Sequence, residues 1–204
     1  VTTELVKEYN AVIGYTQSDE ITLVWYNEDY KSQMIYDGKV FKLQSDLASL
    51  CSVLFFKYLP EYLPEKVDKL PRFDCRVWNL PTVMEAYNCL LWREEDATRN
   101  SISMSAQSVF SHKKLLGKNR NTMMDMLMEK GINWNDYPAF FKRGTYIKRS
   151  KEYIKYSTEE LDRLPIKHNA RTNPDLLVER SVYNQTYPIL SKLDLDERLA
   201  LFEI

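Results

Sequence analysis

Two short runs of β-branched and aromatic residues flank a polar tetrapeptide early in the chain, in AVIGYTQSDEITLVWY at residues 11–26. Such runs favour extended backbone, and a short polar break between them is typical of a β-hairpin. The spacing predicts a hairpin with Gln17 to Glu20 at its tip. Two adjacent acids, Asp19 and Glu20, would then lie at the turn.

The segment from Lys39 to Tyr58 has the spacing of an amphipathic helix. Its apolar positions are Val40, Leu43, Leu47, Leu50, Cys51 and Leu54. Lys39 and Lys42 fall on the opposite, polar face, because successive helical residues are rotated by about 100°. A hairpin followed by a long amphipathic helix predicts an α+β fold, with an antiparallel sheet packed by helices.

The rest of the chain predicts further elements. We expect a loop or poor helix at 58–71, a strand at 73–78, helices at 82–93, 102–116 and 122–130, and short strands and loops from Asp136 onward. Positive charge is concentrated in two segments: nine Lys or Arg against four acids in 139–171, and four basic residues without an acid in 111–120. We therefore expect a catalytic core at 1–138 and a small, basic C-terminal extension at 139–204.

Composition excludes several classes of function. The net charge of -1 means that attraction of a polyanion must be local. Three widely spaced cysteines, taken as small core residues, suit the reducing cytoplasm and form neither a disulfide framework nor a zinc site. The sequence has no apolar stretch of the roughly 20 residues that a membrane helix needs, and none of its five glycines forms a dinucleotide or P-loop motif.

Adjacent acids at a hairpin tip can hold Mg²⁺ through hard oxygen ligands. Lysines at a helix start favour phosphate. Together they make the arrangement of a polymerase-like palm, with metal on the sheet and triphosphate beside it. Alternatively, Asp19 is an ordinary turn residue, and Lys39 and Lys42 lie on a solvated helix face without binding phosphate.

Six segments resemble, in order and spacing, successive motifs of the tRNA-histidine guanylyltransferase family. They are YTQSDEITLV (15–24), GKVFKLQSDLAS (38–49), FDCRVWNLP (73–81), AYNCLLWREEDATRNSI (86–102), GINWNDYP (131–138) and KRGTYIKR (142–149). HNARTNPDLLVERS (168–181) is similar to a C-terminal segment of the shorter, guanylyltransferase-like members. The resemblance covers nearly the whole chain from Tyr15 to Ser181.

The resemblance implies a palm fold, two Mg²⁺ ions, GTP and ATP as substrates, and 3'-to-5' addition of nucleotides to the 5' end of tRNA. It also implies a homotetramer. By the same resemblance Asp19 is a catalytic metal ligand and Glu20 a catalytic residue, while Ser18, Lys39, Lys42, Arg93 and Asn100 contact nucleotide. Lys118, Lys142, Arg143, Lys148 and Arg149 are the expected RNA contacts.

Two departures from the family pattern stand out. The family begins with a strand bearing an Asp-Gly that supplies another metal ligand, whereas residues 1–10 contain no Asp; we expect the chain to be an N-terminally truncated fragment. The family block His-Ile-Asn-Asn is here Thr98-Arg99-Asn100-Ser101. We expect the remaining histidines, His112 and His168, to face solvent or RNA.

Three functions stay open at this point. The first is an enzyme that adds or repairs 5' nucleotides on tRNA. The second is a catalytically impaired tRNA-binding module, which Thr98 and the missing upstream Asp favour. The third is a palm-fold cyclase, against which the motifs beyond the hairpin argue. The aromatic residues Trp92, Trp134 and Tyr137 are either base-stacking or core residues.

Overall fold

The computed structural model describes residues 1–26, 34–173 and 175–204. Its strands are β1 (Ile13–Gln17), β2 (Glu20–Val24), β3 (Thr145–Lys155) and β4 (Leu177–Thr186). Its α-helices are α1 (Thr2–Glu8), α2 (Val40–Tyr62), α3 (Val83–Gln107), α4 (His112–Leu115), α5 (Arg120–Met128), α6 (Ala139–Arg143), α7 (Thr158–Arg163), α8 (Asn169–Thr172) and α9 (Leu195–Ala200). Within the described ranges, no helix is both long enough and apolar enough to cross a membrane.

The strands form one antiparallel sheet in the order β2-β1-β3-β4. β1 pairs with β3 through Tyr15 and Tyr146, far apart in sequence but directly opposite in the sheet. The predicted α+β class is therefore confirmed. β3 lies beyond the expected boundary between residues 138 and 139, and it pairs with β1 inside the same sheet.

Successive residues of a strand point to opposite faces of the sheet. Helices cover both of these faces. Ile13 and Tyr15 pack with Tyr87 and Leu90 of α3 on one face. On the other face, α1 lies so close to Gly14 that a Cβ atom there would be 2.5 Å from a methyl group of Val6. The alternation in β1 thus fixes α3 on one side of the sheet and α1 on the other.

The predicted helix at 39–58 is confirmed as α2, which buries Leu43, Leu47, Cys51 and Leu54. The predicted strand at 73–78 is wrong: the segment has no strand structure and pairs with none of the residues that the structure describes. Its side chains nevertheless alternate between half-buried and exposed, as Phe73, Cys75 and Val77 pack on the α1–α2 core. The helices expected at 82–93 and 102–116 also differ, because α3 runs without interruption from 83 to 107.

Candidate functional site

The two acids lie at the tip of the β1–β2 hairpin, as the sequence predicts. Gln17 and Glu20 are directly paired, so Ser18 and Asp19 form the two-residue turn. Ser18 has a φ of 53°, the left-handed backbone conformation that tight hairpins require. Asp19 is exposed, and the sheet holds the two strands that flank the turn in place. A carboxylate on such a turn is available to a ligand without disturbing the core.

The hairpin tip is attached to α3 by an ion pair between Glu20 and Arg93. One guanidinium nitrogen of Arg93 donates to both carboxylate oxygens, at 3.0 and 3.3 Å. The guanidinium also stacks on the neighbouring Trp92 ring, with its carbon 4.8 Å from the ring centroid. Glu20 and Arg93 are 73 positions apart in sequence. The contact holds a cation beside Asp19 and balances the charge of Glu20.

A cavity of about 590 Å³ opens beside this tip, and we call it the first cavity. Its lining includes apolar side chains of α2, such as Leu43 and Leu47. Asp19, Glu20 and Arg93 also line it, together with Asp74 and Arg76, which form an ion pair at 2.9 Å. The first cavity therefore combines an apolar wall with two guanidinium groups, the combination that a nucleotide base and its phosphates need.

The two lysines at the start of α2 lie at the margin of the first cavity. Its lining includes Gly38 and Val40, which flank Lys39 in the chain. Lys39 is largely exposed, with its ammonium 3.9 Å from a carboxylate oxygen of Asp37. The Lys42 ammonium lies 4.4 Å from the centroid of the Tyr36 ring. The structure thus places both lysines on a polar helix face, next to the cavity rather than inside it.

A second cavity of about 400 Å³ lies on the other side of the same turn. It is lined by Gln17, Ser18, Asp19, Glu20, Asp96, Asn100, Ser103, Met104 and Gln107. The side-chain amide of Asn100 donates to Asp96 at 3.1 Å, and Arg99 donates to the other carboxylate oxygen at 2.9 Å. Asn100, expected near nucleotide, therefore shares a cavity with Asp19, although sequence reasoning did not select Asp96.

The expected RNA contacts differ in their surroundings. Lys118 is exposed in the loop after α4. The ammonium of Lys142 donates to the carbonyl of Asn135 and lies 5.5 Å from the centroid of the Trp134 ring. Lys148 is half-buried, and its ammonium donates to the carbonyl of Ala200. Of these three, only Lys118 has no such link to another part of the fold among the described contacts.

The structure contradicts the expectation that Arg149 contacts RNA. Arg149 is 8% exposed, and its guanidinium donates to the carbonyl of Ala11 at 3.1 Å and to the side chain of Asn10 at 2.6 Å. It is a structural link between β3 and the chain before β1. Arg143 is half-buried, and its Nε is buried without a hydrogen-bond partner in the described part of the chain.

The described side chains form no ready-made cluster of metal ligands. In residues 1–26, 34–173 and 175–204, no group of three or more His, Cys, Asp or Glu side chains could hold a metal ion. Mg²⁺ is, however, commonly bound by one or two carboxylates together with substrate phosphates. Asp19 fits that mode, whereas Glu20 is engaged by Arg93.

The three cysteines line or adjoin the first cavity as neutral thiols. Burial raises the pKa of Cys51 to about 11, and burial likewise raises the pKa values of Cys75 and Cys89. A thiol needs to ionise to act as a nucleophile or a metal ligand. The site therefore offers oxygen and guanidinium groups, and its thiols remain packing residues.

Comparison with known proteins identifies the family of this chain. The family model for tRNAHis guanylyltransferase (Thg1) matches residues 1–81. The tRNA(His) guanylyltransferase of Debaryomyces hansenii is 28% identical over 163 residues, which cover 71% of this chain and 58% of that protein. A bacterial tRNA(His) guanylyltransferase (Thg1)-like protein in complex with ATP superposes with a TM-score of 0.70 at 33% identity, covering 94% of this chain and 71% of that one. The chain belongs to the tRNAHis guanylyltransferase family.

A bacterial Thg1-like protein in complex with GTP is also similar to this family member, at 28% identity and a TM-score of 0.62 over 94% of this chain and 70% of that one. The chain spans 58% of the length of the Debaryomyces hansenii protein and 59% of the length of a mimivirus protein that is 30% identical to it.

Thr98, which departs from the family pattern, and the two histidines occupy ordinary structural positions. The hydroxyl of Thr98 donates to the carbonyl of Glu94, one helical turn earlier, at 2.9 Å. The His168 ring accepts a hydrogen bond from the backbone N–H of Ala170 and so caps α8. His112 is exposed. In this family member, neither histidine lines either cavity.

The three aromatic residues divide between core and surface. Trp134 is a core residue, 8% exposed, and its indole N–H donates to Ser101 at 3.2 Å. Tyr137 is half-buried against Phe141. Trp92 is 57% exposed and stacks on Arg93. Of the three, Trp92 alone has the exposure that stacking on a base requires.

Proposed function

We propose that this family member is a nucleotidyltransferase that adds nucleotides to the 5' end of tRNA in the 3'-to-5' direction. The observation that supports it is the exposed carboxylate of Asp19 at the mouth of a partly apolar cavity, with Arg93 held beside it by Glu20. The complexes of bacterial Thg1-like relatives with ATP and GTP add support, because they are nucleotide complexes of similar folds.

The proposed reaction has two displacements at phosphorus. A phosphate oxygen at the tRNA 5' end attacks the α-phosphorus of ATP, forming a new P–O bond and releasing pyrophosphate. The 3' hydroxyl of GTP then loses its proton and attacks the activated 5' phosphate, which releases AMP and leaves the tRNA one nucleotide longer. Both displacements need positive charge near the phosphates, since negative charge builds up on the departing groups.

The side chains of the site have corresponding proposed roles. Arg93 binds phosphate oxygens, and Glu20 fixes the position of the guanidinium. Lys39 and Lys42 attract the outer phosphates from the margin of the first cavity, Ser18 lies beside the nucleotide at the turn, and Asn100 contacts it from the second cavity.

Asp19 would hold Mg²⁺ jointly with phosphate oxygens of the bound nucleotide, in the mode described above. When bound, the ion supplies charge neutralisation at the phosphates. The family resemblance implies two ions, and we assign Asp19 as a ligand of one of them.

For the tRNA itself, we propose that the exposed Lys118 and the half-buried Lys142 and Lys148 contact phosphates, with Arg143 beside them. We leave Arg149 out of this proposal, because it is 8% exposed and donates to Ala11 and Asn10.

A second candidate function is a catalytically impaired tRNA-binding module. Thr98 favours it, because a Thr hydroxyl cannot take up or release a proton near neutral pH as a histidine can. Under this alternative the cavities would bind nucleotide or tRNA without turnover.

One assay separates the two functions. We expect the chain, given 5'-monophosphorylated tRNA, ATP, Mg²⁺ and labelled GTP, to transfer label to the tRNA. Asp19→Asn should reduce the transfer by at least about 100-fold, as is common when a group that stabilises the transition state is removed. Glu95→Gln, which removes an exposed carboxylate of α3 that lines neither cavity, should leave most of the activity. Retained tRNA binding without labelling would support the binding module instead.

The Thr98 departure also suggests which tRNA end is preferred. Templated addition is selected by base pairing with the opposite strand, so it should depend little on a histidine at this position. We propose that 5'-truncated tRNA is extended by matched nucleotides faster than guanosine is added opposite an unpaired adenine in intact tRNA-histidine. Measured rates at matched concentrations that are equal or reversed would exclude the repair activity.

A further inference from the structure

The turn that leads into α2 has an uncommon backbone conformation. Tyr36, Asp37 and Gly38 all have a positive φ, of 55°, 54° and 69°. Glycine adopts this left-handed conformation readily, whereas a bulky residue such as tyrosine rarely does. A backbone of this kind persists where the surrounding structure holds it in place. The turn therefore needs an anchor elsewhere in the fold.

The anchor is the carboxylate of Asp46 on α2. The Tyr36 hydroxyl donates to its Oδ2 atom at 2.6 Å, and the hydroxyl of Tyr9, the residue that ends α1, donates to the same atom at 2.7 Å. Hydrogen bonds to a charged oxygen are stronger than those between neutral groups. The two hydroxyls also lower the pKa of Asp46, so the carboxylate is ionised at neutral pH. Asp46 thus ties the turn to α1 and α2.

The turn in turn supports the two lysines at the start of α2. Lys39 follows Gly38 directly, and the Lys42 ammonium lies 4.4 Å from the centroid of the Tyr36 ring. A lysine side chain is flexible, and it loses rotamer entropy when a phosphate fixes it. Contact with an uncharged aromatic face restrains the ammonium and leaves its positive charge available. The Tyr36 ring therefore limits the positions of Lys42 before a ligand arrives.

The same turn borders the first cavity. Met34 and Gly38, which lie two residues before and after Tyr36, are part of the cavity lining. Tyr36 and Asp46 are not among the described residues that line it. A nucleotide bound in the first cavity would thus be affected by the Tyr36–Asp46 hydrogen bond through the lysines, and not by direct contact.

We propose that Tyr36 and Asp46 are positioning residues for the triphosphate of a bound nucleotide. Their hydrogen bond keeps the turn in its left-handed conformation and thereby holds the ammonium groups of Lys39 and Lys42 at the margin of the first cavity. This role rests on the proposed function, in which both lysines attract the outer phosphates.

Tyr36→Phe tests the role, because it removes only the hydroxyl and keeps the ring. We expect it to weaken the binding of ATP with Mg²⁺ by about 3- to 10-fold in calorimetry, since the turn loses a hydrogen bond to a charged group and the lysines become less restrained. In the labelling assay the KM for ATP should rise while kcat stays within about 2-fold, as expected when the ground state and the transition state lose the same binding energy.

Tyr9→Phe is the matched control. It removes a hydroxyl from the same carboxylate oxygen but leaves the hydrogen bond between Tyr36 and Asp46 in place. Its affinity for ATP should stay within about 2-fold of wild type. Its melting temperature should fall at least as far as that of Tyr36→Phe, because Tyr9 is 2% exposed and Tyr36 is half-buried. A purely structural role of the two tyrosines would make affinity follow stability instead.

A second comparison combines Tyr36→Phe with alanine at both Lys39 and Lys42. Without the lysines the turn has no ammonium group to position, so adding Tyr36→Phe should change the affinity for ATP by less than about 2-fold. A full effect of Tyr36→Phe in the absence of both lysines overturns the positioning role.

Unchanged affinity for ATP in Tyr36→Phe, or equal losses of affinity in Tyr36→Phe and Tyr9→Phe, overturns it as well. Labelling of tRNA by wild type would in each of these cases still support nucleotidyl transfer. Absence of ATP binding by wild type, together with absence of labelling, would overturn both proposals.

Discussion

Arg93 and Arg149 show how surroundings decide the role of a side chain. Both were expected to contact a polyanion. Arg93 lies in a cavity, paired with Glu20 and 28% exposed as a side chain. Arg149 is buried and donates to Ala11 and Asn10. The sequence KRGTYIKR does not show that Arg149 is buried, because the strand register that turns Arg149 inward is set by pairing with a distant strand. The cavity beside Arg93 is likewise not visible from the sequence.

The first prediction tests the structural role of Arg149. Arg149→Met should lower the free energy of unfolding by about 1–3 kcal/mol, because it leaves the buried carbonyl of Ala11 without its side-chain donor and removes the hydrogen bond to the exposed Asn10. Lys151→Met, two residues along β3 and exposed, should change it by less than about 1 kcal/mol. Urea denaturation measures both. Equal stability of the two variants would show that the Arg149 hydrogen bonds contribute little.

The second prediction concerns Glu94, a buried carboxylate on α3. Burial raises its pKa, while the backbone N–H of Leu190 and the hydroxyl of Tyr146 donate to it at 3.0 and 3.1 Å and oppose the rise. A raised pKa in the folded state means that the protonated form is favoured by folding. Its contribution to stability is therefore present below the unfolded pKa of about 4.3 and is lost as the pH rises through the folded pKa.

Glu94→Gln removes this titration while keeping an acceptor for Leu190 and a polar partner for Tyr146. We expect the melting temperature of the variant, relative to wild type, to rise as the pH is increased from about 4 to 7. Asp46 acts in the opposite direction in both proteins, because hydrogen bonds from Tyr36 and Tyr9 lower its pKa, so it cancels in the difference. A difference that does not change with pH would mean that Glu94 titrates normally.

At the scale of elements, the sequence predicts features that depend on local patterns better than features that depend on distant contacts. The hairpin and α2 were found because their periodicities fall on strongly apolar faces. The pattern predicts two helices in place of α3 because the buried face between 94 and 105 has one large apolar residue, Ile102, and is otherwise made of Glu94, Ala97, Ser101 and Ser105, which give no apolar period. The 73–78 segment has a strand pattern but pairs with no strand in the described part of the chain. Asp19 and its turn were predicted, whereas the Glu20–Arg93 contact and the Asp96 cavity depend on how the hairpin packs against α3.

The third prediction compares two pairs of lysines as contacts of RNA. Lys113, Lys114 and Lys118 of α4 and its loop are exposed, while Lys142 and Lys148 donate to backbone carbonyls. Ammonium groups already bonded to protein have less to gain from a phosphate. We expect alanine at Lys114 and Lys118 to reduce the slope of log K against log salt for tRNA binding by about 0.7–0.9 per lost contact, and alanine at Lys142 and Lys148 to reduce it less.

The control is alanine at Lys66 and Lys69, which are exposed in the short helix Pro64–Lys69 and belong to neither basic segment. Their slope should equal that of wild type. If the α4 pair behaves like this control, tRNA binds at another surface.

At the scale of the whole molecule, the last residues return to the core formed by β1 and α3. Leu190 and Phe202 are 0% and 2% exposed and belong to the same cluster as Ile13 and Tyr87. The carbonyl of Leu190 accepts from the Tyr87 hydroxyl, and its N–H donates to Glu94. Both partners lie on α3, the helix that also provides Arg93 and Asp96. The final segment therefore supports the helix on which both cavities depend.

The fourth prediction follows from that packing. A chain ending at Thr186 loses the burial of Leu190 and Phe202, at about 1.5–3 kcal/mol each, and leaves Glu94 without its backbone donor. Because 1 kcal/mol corresponds to about 2–4 °C for a protein of this size, we expect the melting temperature to fall by at least about 10 °C.

A chain ending at Phe202 removes only two exposed residues and should melt within about 2 °C of wild type. Circular dichroism measures both, and GTP binding below the lower transition should weaken only in the shorter chain. An unchanged melting temperature in the chain ending at Thr186 would show that α3 keeps its position without the final segment.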